Sequence, residues 1–404
     1  MNSLFLSGFG VSLNVDRASL VIKDGHLEPE RNPSTYEVRP RHARFDSIVI
    51  DSQTGQISIP AMKWLMRHGI PLFILDYNGT LLSSVLPREP VVGNLKKAQV
   101  EAYQDIQRRF YIAHKIVEAK LERTRELIEW LSQRYDVDER SRIRLNAEIK
   151  RYDGCNNVKD LMFVEGRVAE VYWKIFQTLI PKKYSFVSRM HETHQMNSTD
   201  PVNTLLNYGY AFLESRCRAS INTVGLEPSI GFLHEIAQPR YPLVYDLQEP
   251  FRWSVDKTVL SCVENDTFSK TDFFLTDNYV LRLSPAAIKR LLEELRACFN
   301  SGAVYKSKKC SWDTIIRLKI QELARYLLDR TEDFDLKDPH PDFREDGREL
   351  RQKLLTLTLS EARKLGLSKS TFWSLQNRCR SNIPLKIYLK TGKKISHRLD
   401  AKAC

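Results

Sequence analysis

What most constrains this chain is a change of texture near residue 90. Up to about residue 88 it is a succession of short β-prone runs: Leu4-Phe5-Leu6, Ser12-Leu13-Asn14-Val15, Leu20-Val21-Ile22 and Ser47-Ile48-Val49-Ile50. Gly8, Gly10, Gly25 and Gly55 punctuate them, as expected of strands separated by turns. Ile59 to His68 reads as a short helix with Pro60 in its first turn. Pro71–Leu75 and Leu81–Val85 are joined through Asp76-Tyr77-Asn78-Gly79, and Asn-Gly between apolar runs predicts a hairpin. From about residue 92 the apolar residues recur at helical spacing instead. Val100 to Arg134 reads as one long amphipathic helix, and further helices are expected at 158–180, 200–224, 284–300 and 312–329.

The expected fold class is therefore α+β. A β-rich dimerisation or scaffold domain (1–88) precedes a larger all-helical catalytic domain (92–329). Residues 330–349 are acidic, carry Pro339, Pro341 and Gly347, and read as a linker; residues 350–404 form a small basic tail. Two or three domains suit a chain of 404 residues.

Seven cysteines, at 155, 217, 262, 298, 310, 379 and 404, show no CxxC pair. An odd, unpatterned set fits reduced thiols better than a disulfide frame or a zinc site. No stretch approaches the roughly 20 apolar residues of a membrane helix, and the N-terminus lacks the basic start and apolar core of a signal peptide. A cytoplasmic protein without a membrane partner is expected. The net charge of +12 makes a polyanion, nucleic acid first, the leading partner class.

One candidate site residue lies on the 158–180 helix. Leu161, Val164, Val168, Tyr172 and Ile175 fall on one stripe, and Glu165 follows Leu161 by four residues on the same side. A carboxylate beside apolar neighbours needs compensation, from a metal ion or from an arginine such as Arg167 or Arg252. Further on, His234 closes the run Ile230-Gly231-Phe232-Leu233, and Asp246 and Glu249 are three apart, one face of a helical turn. Carboxylates with one imidazole suit Mg²⁺ or Mn²⁺ better than thiolate-held zinc. Taken singly, His234 also reads as a core histidine and Asp246 as a structural partner of Arg252. In the tail, Ser360 to Trp373 reads as helix, glycine turn and a second helix capped by Ser368, the spacing of a helix-turn-helix. Lys369, Ser370, Thr371 and Gln376 would face DNA while Phe372 and Leu375 pack inward; an amphipathic hairpin with no DNA role is the alternative.

Several ordered segments carry a resemblance. They are Leu6-Ser7-Gly8-Phe9-Gly10, Phe45–Ile50, His68–Leu72, Asp76–Gly79 and Leu81–Ser84 in the first part. Val164-Glu165-Gly166-Arg167, Asp200–Tyr210, Gly225–Pro228, Gly231–His234 and Tyr245–Arg252 follow in the second. Over about residues 3–330 the chain resembles the CRISPR-associated spacer-acquisition endonuclease/integrase superfamily, which includes the casposase transposon integrases. The resemblance implies a metal-dependent enzyme that joins 3′-hydroxyl DNA ends to a target by transesterification. It implies Glu165, His234 and Glu249 as ligands of Mg²⁺ or Mn²⁺, with Asp246 as a further catalytic acidic residue supporting them. It implies double-stranded DNA as incoming end and target, a homodimer through the β-domain, and the small second CRISPR adaptation protein as a partner. Two departures stand out: Lys120-Leu121-Glu122-Arg123 lacks an asparagine that often follows the equivalent lysine, and the chain continues beyond the usual end of the family. CRISPR spacer acquisition is the first biological reading because that branch is the more numerous; the tail favours a casposase. A basic, non-enzymatic DNA-binding protein is the reading from another class. Arg252, Lys257, Lys308 and Lys309 are candidate phosphate contacts, which would supply affinity without sequence information.

Overall fold

The computed structural model describes residues 3–25, 34–76, 79–88, 90, 92–189, 198–236, 241–276, 280–341, 343, 357–364 and 368–380. The first part is a six-stranded mixed sheet. Strands β1 (Ser3–Asp16), β2 (Ser19–Lys23), β3 (Thr35–Val38), β4 (Ser47–Ile57), β5 (Leu72–Leu75) and β6 (Leu81–Val85) lie in the order β3-β2-β1-β4-β5-β6. β1 pairs with β2 antiparallel and with β4 parallel, and register shifts between Ser7 and Val11 let Leu6 enter the same core as Val11 and Leu13, with Ile48, Ile50 and Leu72. Helix α1 (Ile59–Arg67) covers that core through Ala61, Trp64 and Leu65; Ser58 caps it and Pro60 occupies its first turn. The predicted hairpin is present as the antiparallel pair β5–β6, though Tyr77 and Asn78 of its turn lie outside the described residues. Gly79 has φ +80°, and a Cβ there would come within 2.7 Å of the Tyr208 ring, so both conformation and space require glycine.

The helical part contains α2 (Gly93–Gln104), α3 (Ile106–Ser132), α4 (Glu139–Lys150), α5 (Val158–Leu179), α6 (Pro201–Val224), α7 (Pro242–Gln248), α8 (Trp253–Glu264), α9 (Pro285–Ser301) and α10 (Trp312–Leu327). Two short hairpins, β7 (Phe273–Leu275) with β8 (Leu281–Leu283) and β9 (Ala303–Tyr305) with β10 (Lys308–Cys310), join the later helices. The single helix expected from Val100 to Arg134 is interrupted. Asp105 is extended at the break, and its carboxylate accepts from Gln107 N and Arg108 N, capping α3. Helix α6 is buried on most sides, and at Gly209 it passes so close to α8 that a Cβ would meet Val255 Cγ1 at 2.4 Å.

Sheet and helices are pinned together by buried ions. Arg216 on α6 donates Nε to Asp313 (2.6 Å), Nη1 to Ser3 Oγ (2.8 Å) and Ser47 Oγ (2.9 Å), and Nη2 to Asp46 (3.1 Å). Arg282 and Tyr208 meet Asp51 of β4, and Lys289 meets Asp24.

Residues 330–341 correct the linker reading. They belong to the first of two compact units, Met1–Pro341 and Asp342–Cys404. Phe334 and Leu336 are buried; Asp333 accepts from Tyr111 (2.5 Å) and Lys115 (3.2 Å) on α3. Lys319 donates to the Asp335 carbonyl (2.8 Å), Lys337 reaches Glu118 (2.6 Å), and Arg123 donates to the Lys337 carbonyl. Acidic composition suggested solvent, but Asp333 is a counter-ion for Lys115 of α3 and Asp335 for Lys319 of α10. In the second unit, α11 (Leu359–Lys364) and α12 (Lys369–Arg380) provide the two expected helices; Gly366 between them lies outside the described residues. Cys155, Cys217, Cys262, Cys298 and Cys310 are reduced thiols, and no described helix is long and apolar enough to cross a membrane.

Candidate active site

Glu165, His234 and Glu249 come from three separate segments and line one pocket of about 210 Å³, together with Lys120, Arg123, Arg252 and Asp256. Helix α5 delivers Glu165: Leu161, Val164, Val168, Tyr172 and Ile175 are buried, which leaves Glu165 at the edge of the stripe and open to the pocket. Glu249 follows α7 directly and is 6% exposed.

The loop before α7 presents His234, and Asp246 builds that loop. Fully buried on α7, Asp246 accepts from Phe232 N (2.6 Å) and Leu233 N (3.0 Å) at Oδ2, and from His234 N (3.1 Å) and Nδ1 (2.7 Å) at Oδ1. This close approach requires Gly231, where a Cβ would lie 2.6 Å from Pro242 Cβ and 2.9 Å from Asp246 Oδ2. From the other side Arg109 on α3 donates to the Phe232 carbonyl (3.0 Å) and Glu235 (2.9 Å). With Nδ1 engaged by a carboxylate, the imidazole has Nε2 left for the pocket. Burial depresses the basicity of His234, but the hydrogen bond and charge of Asp246, aided by Glu249, outweigh it and raise the pKa.

The compensation of Glu165 differs from both expected arginines. Arg167 turns to Glu148 (3.2 Å) and Glu170 (3.1 Å). Instead, the Lys120 ammonium on α3 bridges Glu165 and Glu249, the latter at 2.5 Å. Glu249 Oε2 is buried, and this ammonium is its ion-pair partner. Burial opposes ionisation of Glu249, yet Lys120 and then Arg252 hold its pKa below the usual glutamate value. Burial likewise opposes the charge of Lys120, and Glu249 and Glu165 reverse that and raise its pKa. Arg252 lies 3.5 Å from Glu249 Oε1 and stacks 4.2 Å from the Tyr210 ring. Behind it, the buried Asp256 accepts from Tyr172 (2.8 Å) and Tyr210.

The donor set fits a divalent ion: two carboxylates held together by one cation, and an imidazole oriented by a third carboxylate. Among the described residues, the group of three whose His and carboxylate atoms all lie within 4.8 Å of one another is a different one, Glu122, Glu126 and His340. There Arg123 already pairs with Glu126 and contacts His340 Nδ1 (3.1 Å), and His340 is half exposed, so the pocket is the better candidate.

The remaining candidates are scattered. Lys257 is half-buried on α8 with its ammonium 5.2 Å from the Trp130 ring. Lys308 and Lys309 are exposed on the β9–β10 hairpin and do not line the pocket. In the tail, Lys369 and Ser370 are exposed, Phe372 is buried, and the side chains of Thr371 and Leu375 lie outside the described residues. Gln376 corrects the expectation of a DNA-facing residue: it is 5% exposed and donates to the Leu357 carbonyl (3.3 Å). It stands four residues after the inward Phe372, and so shares its face. Asp256 was not singled out from sequence; Lys120 was named there only as the lysine of the 120–123 segment, and the other signal was that Glu165 needed a cation.

The chain is similar to several known proteins. The family described as CRISPR associated protein Cas1 matches residues 4–297. A CRISPR-associated endonuclease Cas1 of Archaeoglobus fulgidus is 28% identical over 343 residues, 80% of this chain and 96% of that protein. A solved casposase bound to integration product is 36% identical, with TM-score 0.82, covering 88% of this chain and 99% of that one. A chain of a Cas6-RT-Cas1–Cas2 complex, 19% identical with TM-score 0.70, covers 84% of this chain and 36% of its own, and shares the fold. The chain belongs to the Cas1 family.

Proposed function

We propose that this Cas1-family endonuclease and integrase joins 3′-hydroxyl DNA ends to a target duplex at the pocket formed by Glu165, His234 and Glu249. The convergence of these residues from three segments, with Asp246 orienting the imidazole, carries the reading. Glu165, Glu249 and His234 Nε2 would hold Mg²⁺ or Mn²⁺. An ion held there would supply Lewis-acid charge to offset the negative charge of the phosphate and of the departing 3′ oxygen. The attacking 3′-hydroxyl forms one phosphorus–oxygen bond as the target strand's bond to its own 3′ oxygen breaks, so strand transfer needs no external energy source. Water in place of the hydroxyl gives hydrolysis. Arg252, kept charged by Tyr210, Glu249 and Asp256 against the opposing effect of burial, faces the phosphate from the pocket wall. Asp246 is a positioning residue: four hydrogen bonds occupy its carboxylate. Lys257, Lys308, Lys309 and the exposed Lys369 and Ser370 are phosphate contacts outside the pocket.

Spacer acquisition in a CRISPR system is the first biological setting, with a Cas2-type partner and a homodimer through the β-domain. A casposase role is favoured by a specific observation: identity of 36% and coverage of 88% of this chain, against 28% and 80% for the Archaeoglobus relative. Incubation of purified protein with labelled short duplexes and a plasmid tests the chemistry, and sequencing the junctions tests the setting. Joining should require Mg²⁺ or Mn²⁺ and vanish in Glu165→Gln and His234→Ala. Normal joining by the double variant sinks the assignment; junctions at a repeat–leader boundary or beside a transposon target separate the two settings.

A further inference from the structure

We propose that Lys120 is a resident counter-ion of the metal centre, which the divalent ion must displace from between Glu165 and Glu249. This rests on the ligand assignment above. The ammonium is in contact with both carboxylates, and it is the cation nearest to the buried Glu249 Oε2, while Arg252 lies 3.5 Å from Oε1. A divalent ion held by these carboxylates takes over the same attraction. Keeping ion, ammonium and Arg252 side by side would place like charges in one small space, where repulsion is only weakly screened.

The surroundings allow the exchange. Lys120 sits at the pocket wall with its side chain 17% exposed, and the pocket of about 210 Å³ is far larger than an ammonium. The flexible four-carbon stem lets the charge swing without moving α3, whose backbone is held by the helix and by Thr124 Oγ1 bonding the Lys120 carbonyl (2.9 Å). Before the ion binds, Lys120 holds the two carboxylates together through its contacts with both. Afterwards its charge is released toward the side of the pocket from which a DNA phosphate approaches. Lys120 is thus a positioning residue that weakens metal affinity while shaping the site.

Two measurements test this on the full chain. Mn²⁺ binding is followed by the loss of the free-ion paramagnetic resonance signal in wild type, Lys120→Met and Glu165→Gln. The Met variant, which keeps the stem and removes the charge, should bind Mn²⁺ on the order of tenfold more tightly than wild type. Affinity equal to or weaker than wild type overturns the proposal. In the wild type, independent of any variant's folding, amine-reactive labelling read by peptide mass spectrometry should rise at Lys120 when Mg²⁺ is added, while the buried Lys319 stays protected. Unchanged labelling at saturating Mg²⁺ also overturns it. Wild-type protein with no saturable Mn²⁺ binding that Glu165→Gln weakens would instead remove the ligand assignment itself.

Discussion

Arg216 and Lys120 each sit between carboxylates, and they are built differently. Arg216, 4% exposed in its side chain, spends its guanidinium on Asp313, Asp46, Ser3 and Ser47, joining α6 and α10 to the first and fourth strands. Its planar fork matches fixed acceptors in several directions at once, which suits a permanent joint. Lys120 offers a single point charge to Glu165 and Glu249 at the wall of an open pocket. One cation closes a junction, and the other occupies a place that a second cation can claim. The contrast separates two uses of buried charge, cohesion and exchange, within one helical domain.

The largest expected effect breaks the first half of this contrast. Arg216→Met leaves Asp313, 4% exposed, without its buried partner, and breaking such a pair costs roughly 3–5 kcal/mol. Urea denaturation should show this loss with or without Mg²⁺. A cost no larger than that of Lys120→Met would erase the distinction between the two clusters.

Next comes the support of the site. Asp246→Asn keeps the size of the side chain but removes its charge and one of the acceptors that serve Phe232, Leu233 and His234. Loss of a carboxylate that orients a ligand histidine typically weakens metal affinity by about 10–100-fold. Calorimetric Mn²⁺ titration reads this; an unchanged constant would mean that His234 is held in place without Asp246.

Much of the architecture could be read from periodicity, because strands and helices are local. The β-to-helix transition, the β5–β6 hairpin and the stripe bearing Glu165 all rest on spacings of a few residues. The failures are also local in origin. Asp105 is a capping residue inside an amphipathic run, and helix α4 has a thin apolar face, with Leu145 and Glu148 its buried residues. What could not be read was pairing at long range. Lys120 meets Glu165 across 45 positions, and Asp333 meets Tyr111 across 222, and no sequence spacing encodes either. Asp246 was visible as an acid near the site, but its saturation by backbone N–H groups appears only once the loop is folded. The family resemblance selected the residues, and the geometry supplies their division of labour.

A smaller effect sharpens the second half of the contrast through pH. Lys120, followed by Arg252, overcomes the opposing effect of burial and holds Glu249 below the ordinary glutamate value of 4.5. A carboxylate with a lowered folded pKa stabilises the fold above its unfolded value, and that stability is lost as pH falls through the folded value. Without Lys120 the effect of burial is left less opposed, and protonation relieves the two facing carboxylates. The stability cost of Lys120→Met in chelator, about 1–3 kcal/mol at pH 7, should therefore shrink as the pH falls from 7 toward 4. A cost constant over that window would show that Lys120 contributes packing rather than charge.

The smallest expected effect lies outside both clusters, where cations are solvated. Lys308 and Lys309 stand exposed on the β9–β10 hairpin, and the pairing of β10 with β9 fixes their backbone but leaves both ammonium groups in water. An exposed lysine that meets a DNA phosphate releases a condensed counter-ion, so each contact adds about 0.9 to the slope of log affinity against log salt. Lys308→Ala and Lys309→Ala should each flatten that slope by about one or less, lower affinity equally for all sequences, and leave Mn²⁺ binding at the pocket unchanged. Fluorescence anisotropy of a labelled duplex across a salt series measures this directly. An unaltered slope would remove the hairpin from the DNA path, while a change in metal affinity would show that charge on the surface reaches the pocket and that the buried cations are not insulated from it.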